Sequence, residues 1–195
     1  MAQAQEIEFK QLIDAETYQT IRTAYFKTQQ PFTQKNHYID TPDLQIAQHK
    51  MALRIREKDD GLELTLKVPA KIGLTEYNSP ISILPTQQIP SSELPHDVVT
   101  ILKQHDINIS NLKILGALET KRMETQLENG LLVLDHSLYL GTEDYELEFE
   151  VNDYDRGLVA FQAILDQFHL THNPPKNKVQ RFFERQAELK EDEIE

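Results

Sequence analysis

Glu6-Ile7-Glu8-Phe9-Lys10 sets two carboxylates and one ammonium at alternate positions near the start of the chain. An extended backbone sends alternate side chains to opposite faces. As a strand, this stretch puts Glu6, Glu8 and Lys10 on one face and Ile7 and Phe9 on the other. Carboxylate oxygens bind hard divalent cations, and an ammonium binds phosphate as a point charge. One strand thus offers both halves of a site for a metal-chelated polyphosphate. Any half-exposed antiparallel strand alternates in the same way, so these five residues decide nothing alone.

The pattern recurs. Over 51–57, Met51, Leu53 and Ile55 share one face and Ala52, Arg54 and Arg56 the other. After the hairpin turn Asp59-Asp60-Gly61, Leu62–Val68 sets Leu62, Leu64 and Leu66 against Glu63, Thr65 and Lys67, and Pro69 ends the strand. Leu74–Ile83 is expected as a fifth strand, with Glu76 and Asn78 on one face. Leu112–Gln126 reads as a long strand carrying Lys121 and Arg122. Asn129-Gly130 is a strong hairpin signal, and Leu131–His136 bears Asp135. In Tyr145–Val151, Glu146, Glu148 and Glu150 oppose Tyr145, Leu147, Phe149 and Val151. Glu150 continues the alternation; such a third acid more often sits at a rim, and its place at the site stays open. Thr33–Asp40 completes the eight expected strands.

About four helices accompany them. Asp14 reads as an N-cap before Tyr18, Ile21 and Tyr25. A second helix runs from about His96 to His105. A third carries the stripe Leu158, Phe161, Leu165 and Phe168. The last, after Pro174-Pro175, holds Lys178, Arg181, Phe182 and Arg185, and 186–195 reads as its acidic end or tail.

Composition narrows the chemistry. The 195 residues suffice for a single domain with one core, and 39% hydrophobic with 27% charged residues fits a soluble globular protein. No long apolar run marks a membrane span, and the N-terminus has no basic and apolar signal-peptide pattern. Zero cysteines excludes thiolate metal sites and disulfides and suits the cytoplasm. The net charge of −12 argues against an extended nucleic-acid surface but not against a local anion site. The seven histidines show no ligand spacing, and a P-loop is lacking.

The amphipathic helices need apolar surface to cover, and the Ile/Leu/Phe strand faces provide it. The charged faces then lie on the other side, and a closed barrel would gather them in its lumen. Glu6, Glu8, Asp135, Glu146 and Glu148 would supply oxygens, and Lys10, Arg54, Arg56, Lys67, Arg122 and Lys178 cations. Unpaired confined charge is costly, so such a lumen implies a highly charged ligand; a triphosphate with divalent cations suits both signs.

The ordered set resembles the CYTH superfamily of triphosphate tunnel metalloenzymes. Glu6-x-Glu8-x-Lys10 matches its opening signature. Asn36-His37-Tyr38-Ile39-Asp40-Thr41-Pro42 with Ala52-Leu53-Arg54-Ile55-Arg56, then Leu64-Thr65-Leu66-Lys67 with Glu76, are similar to its next blocks. Thr120-Lys121-Arg122, Leu134-Asp135, Tyr145-Glu146-Leu147-Glu148 and Lys178 complete the series. It is most similar to a small bacterial branch. The resemblance implies an α+β fold, an eight-stranded antiparallel closed β-barrel or tunnel with a charged lumen, flanked by helices. It implies a small-molecule triphosphate as ligand and Mg2+ or Mn2+ as cofactor. Glu6, Glu8, Glu76, Asp135, Glu146 and Glu148 would be the metal ligands. Lys10, Arg54, Arg56, Lys67, Arg122 and Lys178 would hold phosphate, and Glu6, Glu8, Lys10 and Glu148 would serve catalysis. Of the neighbours Lys121 and Arg122, family spacing selects Arg122. Of Lys178 and Arg181, Lys178 is the residue expected at the site. One metal is expected on Glu6, Glu8 and Glu148, a second on Asp135 and Glu146. The expected activity is hydrolysis of inorganic triphosphate or a related compound. Adenylate cyclase, thiamine triphosphatase and a non-catalytic polyphosphate binder are the alternatives, with the protein a monomer or homodimer.

Overall fold

The computed structural model describes residues 2–82 and 84–192. Ile83, the expected end of the fifth strand, and residues 193–195 of the acidic tail lie outside them. Eight strands form: β1 (Ala2–Ile13), β2 (Phe32–Asp40), β3 (Ala52–Lys58), β4 (Gly61–Pro69), β5 (Leu74–Ile81), β6 (Lys113–Leu127), β7 (Gly130–Tyr139) and β8 (Thr142–Val151). The helices are α1 (Ala15–Tyr25), α2 (Gln45–Gln48), α3 (His96–Gln104), α4 (Tyr154–Gln167) and α5 (Lys178–Asp192). Hydrogen-bonded neighbours run β1-β5-β4-β3-β2-β6-β7-β8 in a closed barrel, the expected α+β architecture. The flanking strands are longer than the alternation indicated. Pro69 is the last residue of β4 rather than the residue after it. The short α2 had no periodic signature in the sequence. None of the described helices is long and apolar enough to cross a membrane.

The chain divides into two compact units. In the unit spanning Gln34–Leu118, Leu53 and Ile55 of β3 and Leu64 and Leu66 of β4 bury against Val98 and Leu102 of α3. Full burial of each such side chain contributes about 1.5–3 kcal/mol. The motif residue Asp40 has a structural task here. It is buried, and its carboxylate accepts backbone N–H bonds from Thr41 at 2.7 Å, Ile46 at 2.8 Å and Ala47 at 3.0 Å, so it caps α2.

In the unit of Glu6–Thr33 with Glu119–Glu195, Phe9 of β1, Leu132 and Leu134 of β7 and Leu147 and Phe149 of β8 form the core with α1 and α4. Asp14 caps α1 as expected, accepting from Thr17 N at 2.7 Å. The α4 stripe meets the core through Phe161, Ile164 and Leu165. Gly130 opens β7 where a β-carbon would stand 2.3 Å from the Glu150 carbonyl oxygen, so only glycine lets the hairpin lie this close to β8.

Candidate active site

On β8, Tyr145, Leu147, Phe149 and Val151 pack with the core, which leaves Asp144, Glu146, Glu148 and Glu150 on the face turned away from the helices. Antiparallel register then fixes their neighbours. Asp135 stands opposite both Arg122 and Glu146, Lys10 opposite Glu148, and Glu8 opposite Glu150. Directly opposed residues point to the same face. The acids therefore sort into two groups, Asp135 with Glu146 and Glu148, and Glu6 with Glu8 and Glu150. In each group, one carboxylate oxygen per residue lies within 4.8 Å of the others.

The first group is buried and ion-paired. Arg122 makes a two-pronged contact with Asp135, Nε to Oδ1 at 2.8 Å and Nη2 to Oδ2 at 2.6 Å, and reaches Glu148 Oε2 at 2.8 Å. From the start of α5, Lys178 Nζ lies 2.9 Å from Asp135 Oδ2 and also donates to Glu146 and Glu148. Burial opposes the charged forms of Arg122 and Lys178, but the acids around them hold both pKa values well above their ordinary range. Burial would likewise raise Glu148, yet Lys178, Arg122 and Lys10 hold its carboxyl well below the usual range. Glu146 moves the other way, pushed up by burial and by Glu148 against the pull of Lys178.

The second group is half-buried. Lys10 pairs with Glu8 at 2.6 Å. Glu150 is pushed up to about 7, first by burial and then by Glu148, Glu6 and Glu8, with Arg122 opposing.

A family model described as CYTH domain matches residues 4–183. The chain belongs to the CYTH family. A Bacillus subtilis protein named "Putative triphosphatase YjbK" is 40% identical over 94% of this chain and 97% of its own length. An "Inorganic triphosphatase" of Haemophilus influenzae is 41% identical over a stretch covering 30% of this chain and 22% of that protein. A Bacillus halodurans crystal structure titled as a "putative adenylate cyclase" superposes with a TM-score of 0.83 at 40% identity, over 94% of this chain and 100% of that one.

The other unit of this CYTH chain presents cations. Arg54 pairs in register with Thr65 and Arg56 with Asn36, while Lys67 faces Glu76. Arg56 Nε donates to Asn36 Oδ1 at 2.9 Å. Lys67 Nζ lies 2.9 Å from Glu76, whose carboxyl is held down to about 2; burial opposes this shift, and Lys67, Arg54 and Asn78 produce it. Arg54 Nε is buried without a hydrogen-bond partner among the described residues. An orphaned guanidinium N–H suits an anionic oxygen as its acceptor.

The residues fit divalent metal, since both acid groups offer hard oxygen donors. The grouping differs from the sequence expectation. Glu148 stands with Asp135 and Glu146, not with Glu6 and Glu8, because β1–β8 register sets Glu8 against Glu150 and Lys10 against Glu148. Glu150 joins Glu6 and Glu8 in an acid group. Glu76 belongs to neither group and neighbours Lys67 instead. Arg122 is buried on the charged face, and Lys121 is exposed. Both Lys178 and Arg181 approach the acids, where one was expected. Their i,i+3 spacing was the available signal.

Proposed function

We propose that the protein is a divalent-metal-dependent triphosphatase that hydrolyses inorganic triphosphate or a related small triphosphate in the cytoplasm. The observation that carries the reading is the pair of carboxylate groups in a chain that also presents Arg54, Arg56 and Lys67, with Arg54 Nε lacking an acceptor among the described residues. A pure anion binder gains nothing from six such acids. The relatives named as triphosphatases support the same chemistry.

In this reading Arg54, Arg56 and Lys67 of one unit, and Lys10 and Arg122 of the other, are the cations available to phosphate oxygens. Glu6, Glu8 and Glu150 would hold one cation, and Asp135, Glu146 and Glu148 would hold a second. Mg2+ or Mn2+ at these positions would supply neutralisation of phosphate charge and a lowered pKa of bound water. Lys178 neutralises the buried acids in its absence. Water adds to the terminal phosphorus as its bond to the bridging oxygen breaks, giving diphosphate and orthophosphate.

The test is to incubate purified protein with Mg2+ or Mn2+ and tripolyphosphate, ATP or thiamine triphosphate, and to resolve the products. Orthophosphate release is expected. Cyclic AMP with diphosphate would instead support the cyclase reading that the name of the Bacillus halodurans protein suggests. Unchanged ligand in every mixture would refute catalysis.

A further inference from the structure

Arg181 stands one helical turn beyond Lys178 on α5, so both side chains leave the same helix face. Their surroundings differ. Lys178 is held by Asp135, Glu146 and Glu148, the buried acids themselves. Arg181 reaches Glu146 Oε2 through Nη1 at 2.8 Å, and its other contacts lie outside that group. Its Nε donates to Asp144 Oδ2 at 3.0 Å, Nη2 to Asp144 Oδ1 at 3.4 Å, and Nη1 also to the Lys176 carbonyl. Asp144 Oδ2 accepts in turn from the Tyr139 hydroxyl at 2.9 Å. The Tyr139 ring lies 6.3 Å from that of Phe182, a buried residue of α5.

Every nitrogen of the Arg181 guanidinium is therefore engaged by a protein acceptor. A planar fork can clamp Asp144 and Glu146 at once, which a lysine ammonium cannot do with the same geometry. We infer that Arg181 is a positioning residue: anchored by Asp144 and Tyr139, it fixes Glu146 and the first turn of α5, and so seats Lys178 over the buried acids without touching substrate. The kinetic half of this inference rests on the triphosphatase reading; the placement of Lys178 does not.

Two measurements on the intact protein test it. The first is pulse acetylation of lysine amines with peptide mass spectrometry, without substrate. Arg181→Met and Asp144→Asn should each label Lys178 about 10-fold faster than wild type, the scale of one lost hydrogen bond to a charged group. Lys10 should label at its wild-type rate. An unchanged Lys178 rate overturns the inference, as does an equal acceleration at Lys10, which would make Arg181 a general stabiliser. The second is tripolyphosphate hydrolysis. Both variants should lose kcat by about 10-fold with KM within about twofold, the signature of misplaced groups rather than lost binding. A raised KM at unchanged kcat would make Arg181 a substrate ligand and overturn the inference. If Arg181→Met does not fold, Asp144→Asn and Tyr139→Phe carry both measurements with the guanidinium in place. An inactive wild type would sink the triphosphatase reading alone, and the labelling would still decide the role of Arg181.

Discussion

Replacing Glu150 with glutamine removes a charge that the fold tolerates poorly, and the size of the effect follows from the site. Its carboxyl titrates near 7 instead of the ordinary 4.5, because burial and the neighbours Glu148, Glu6 and Glu8 disfavour ionisation. An acid whose folded pKa is raised binds its proton more tightly in the folded state. Its penalty is therefore absent below 4.5, grows between 4.5 and about 7, and is complete above 7. At about 1.4 kcal/mol per tenfold change in proton affinity, the upper bound is about 3.5 kcal/mol. Glu150 keeps partial solvent contact, which reduces this to about 1–2 kcal/mol. In urea denaturation with a chelator present, Glu150→Gln should match wild type at pH 4 and exceed it by that amount at pH 8. Saturating Mg2+ should reverse the order at pH 8, since a cation bound at 100 times its Kd stabilises the folded state by about 2.7 kcal/mol and the variant has lost a ligand. Parallel stability curves for the two proteins from pH 4 to 8 would refute the electrostatic account of the Glu6/Glu8/Glu150 group.

Glu8→Gln should keep the wild-type circular dichroism and unfolding midpoint but lose turnover; near-normal phosphate release would remove Glu8 from the mechanism. Arg122→Met leaves Asp135 and Glu148 short of a buried partner and should cost about 3–5 kcal/mol in urea unfolding, with a loss below about 1 kcal/mol contradicting the ion-pair geometry. Arg54→Gln should raise KM for tripolyphosphate by about 10-fold or more, the equivalent of one charge-assisted hydrogen bond, and an unchanged KM would exclude Arg54 as a phosphate ligand. Gly130→Ala should destabilise by about 1–3 kcal/mol through its clash with the Glu150 carbonyl, and a neutral result would mean the hairpin can shift.

Which residues share a face was legible in the sequence, because alternation is a property of a single strand. Leu53 and Ile55 against Arg54 and Arg56, and Leu147 and Phe149 against Glu146 and Glu148, needed no partner strand to be read. The Asp14 cap was legible for the same local reason. Cross-strand register was not, since it depends on how distant segments dock. That is why Glu148 was expected beside Glu6 and Glu8. Asp40 looked like one more acid in a motif, and only the turn of α2 above it reveals a cap. Arg181 competed with Lys178 for one place because its anchor on Asp144 pairs residues far apart in sequence.

From Asp144 to Val151, strand β8 alternates four acids with four apolar or aromatic side chains without a break. Insertion or deletion of one residue before Asp144 would exchange the two sets, driving carboxylates among Phe161 and Leu165 and aromatic rings among the cations. Such a frameshift in space would erase folding and catalysis together, so this segment cannot drift in length. Diversity in what the protein accepts must instead arise by side-chain replacement, or in the connections that join one strand to the next.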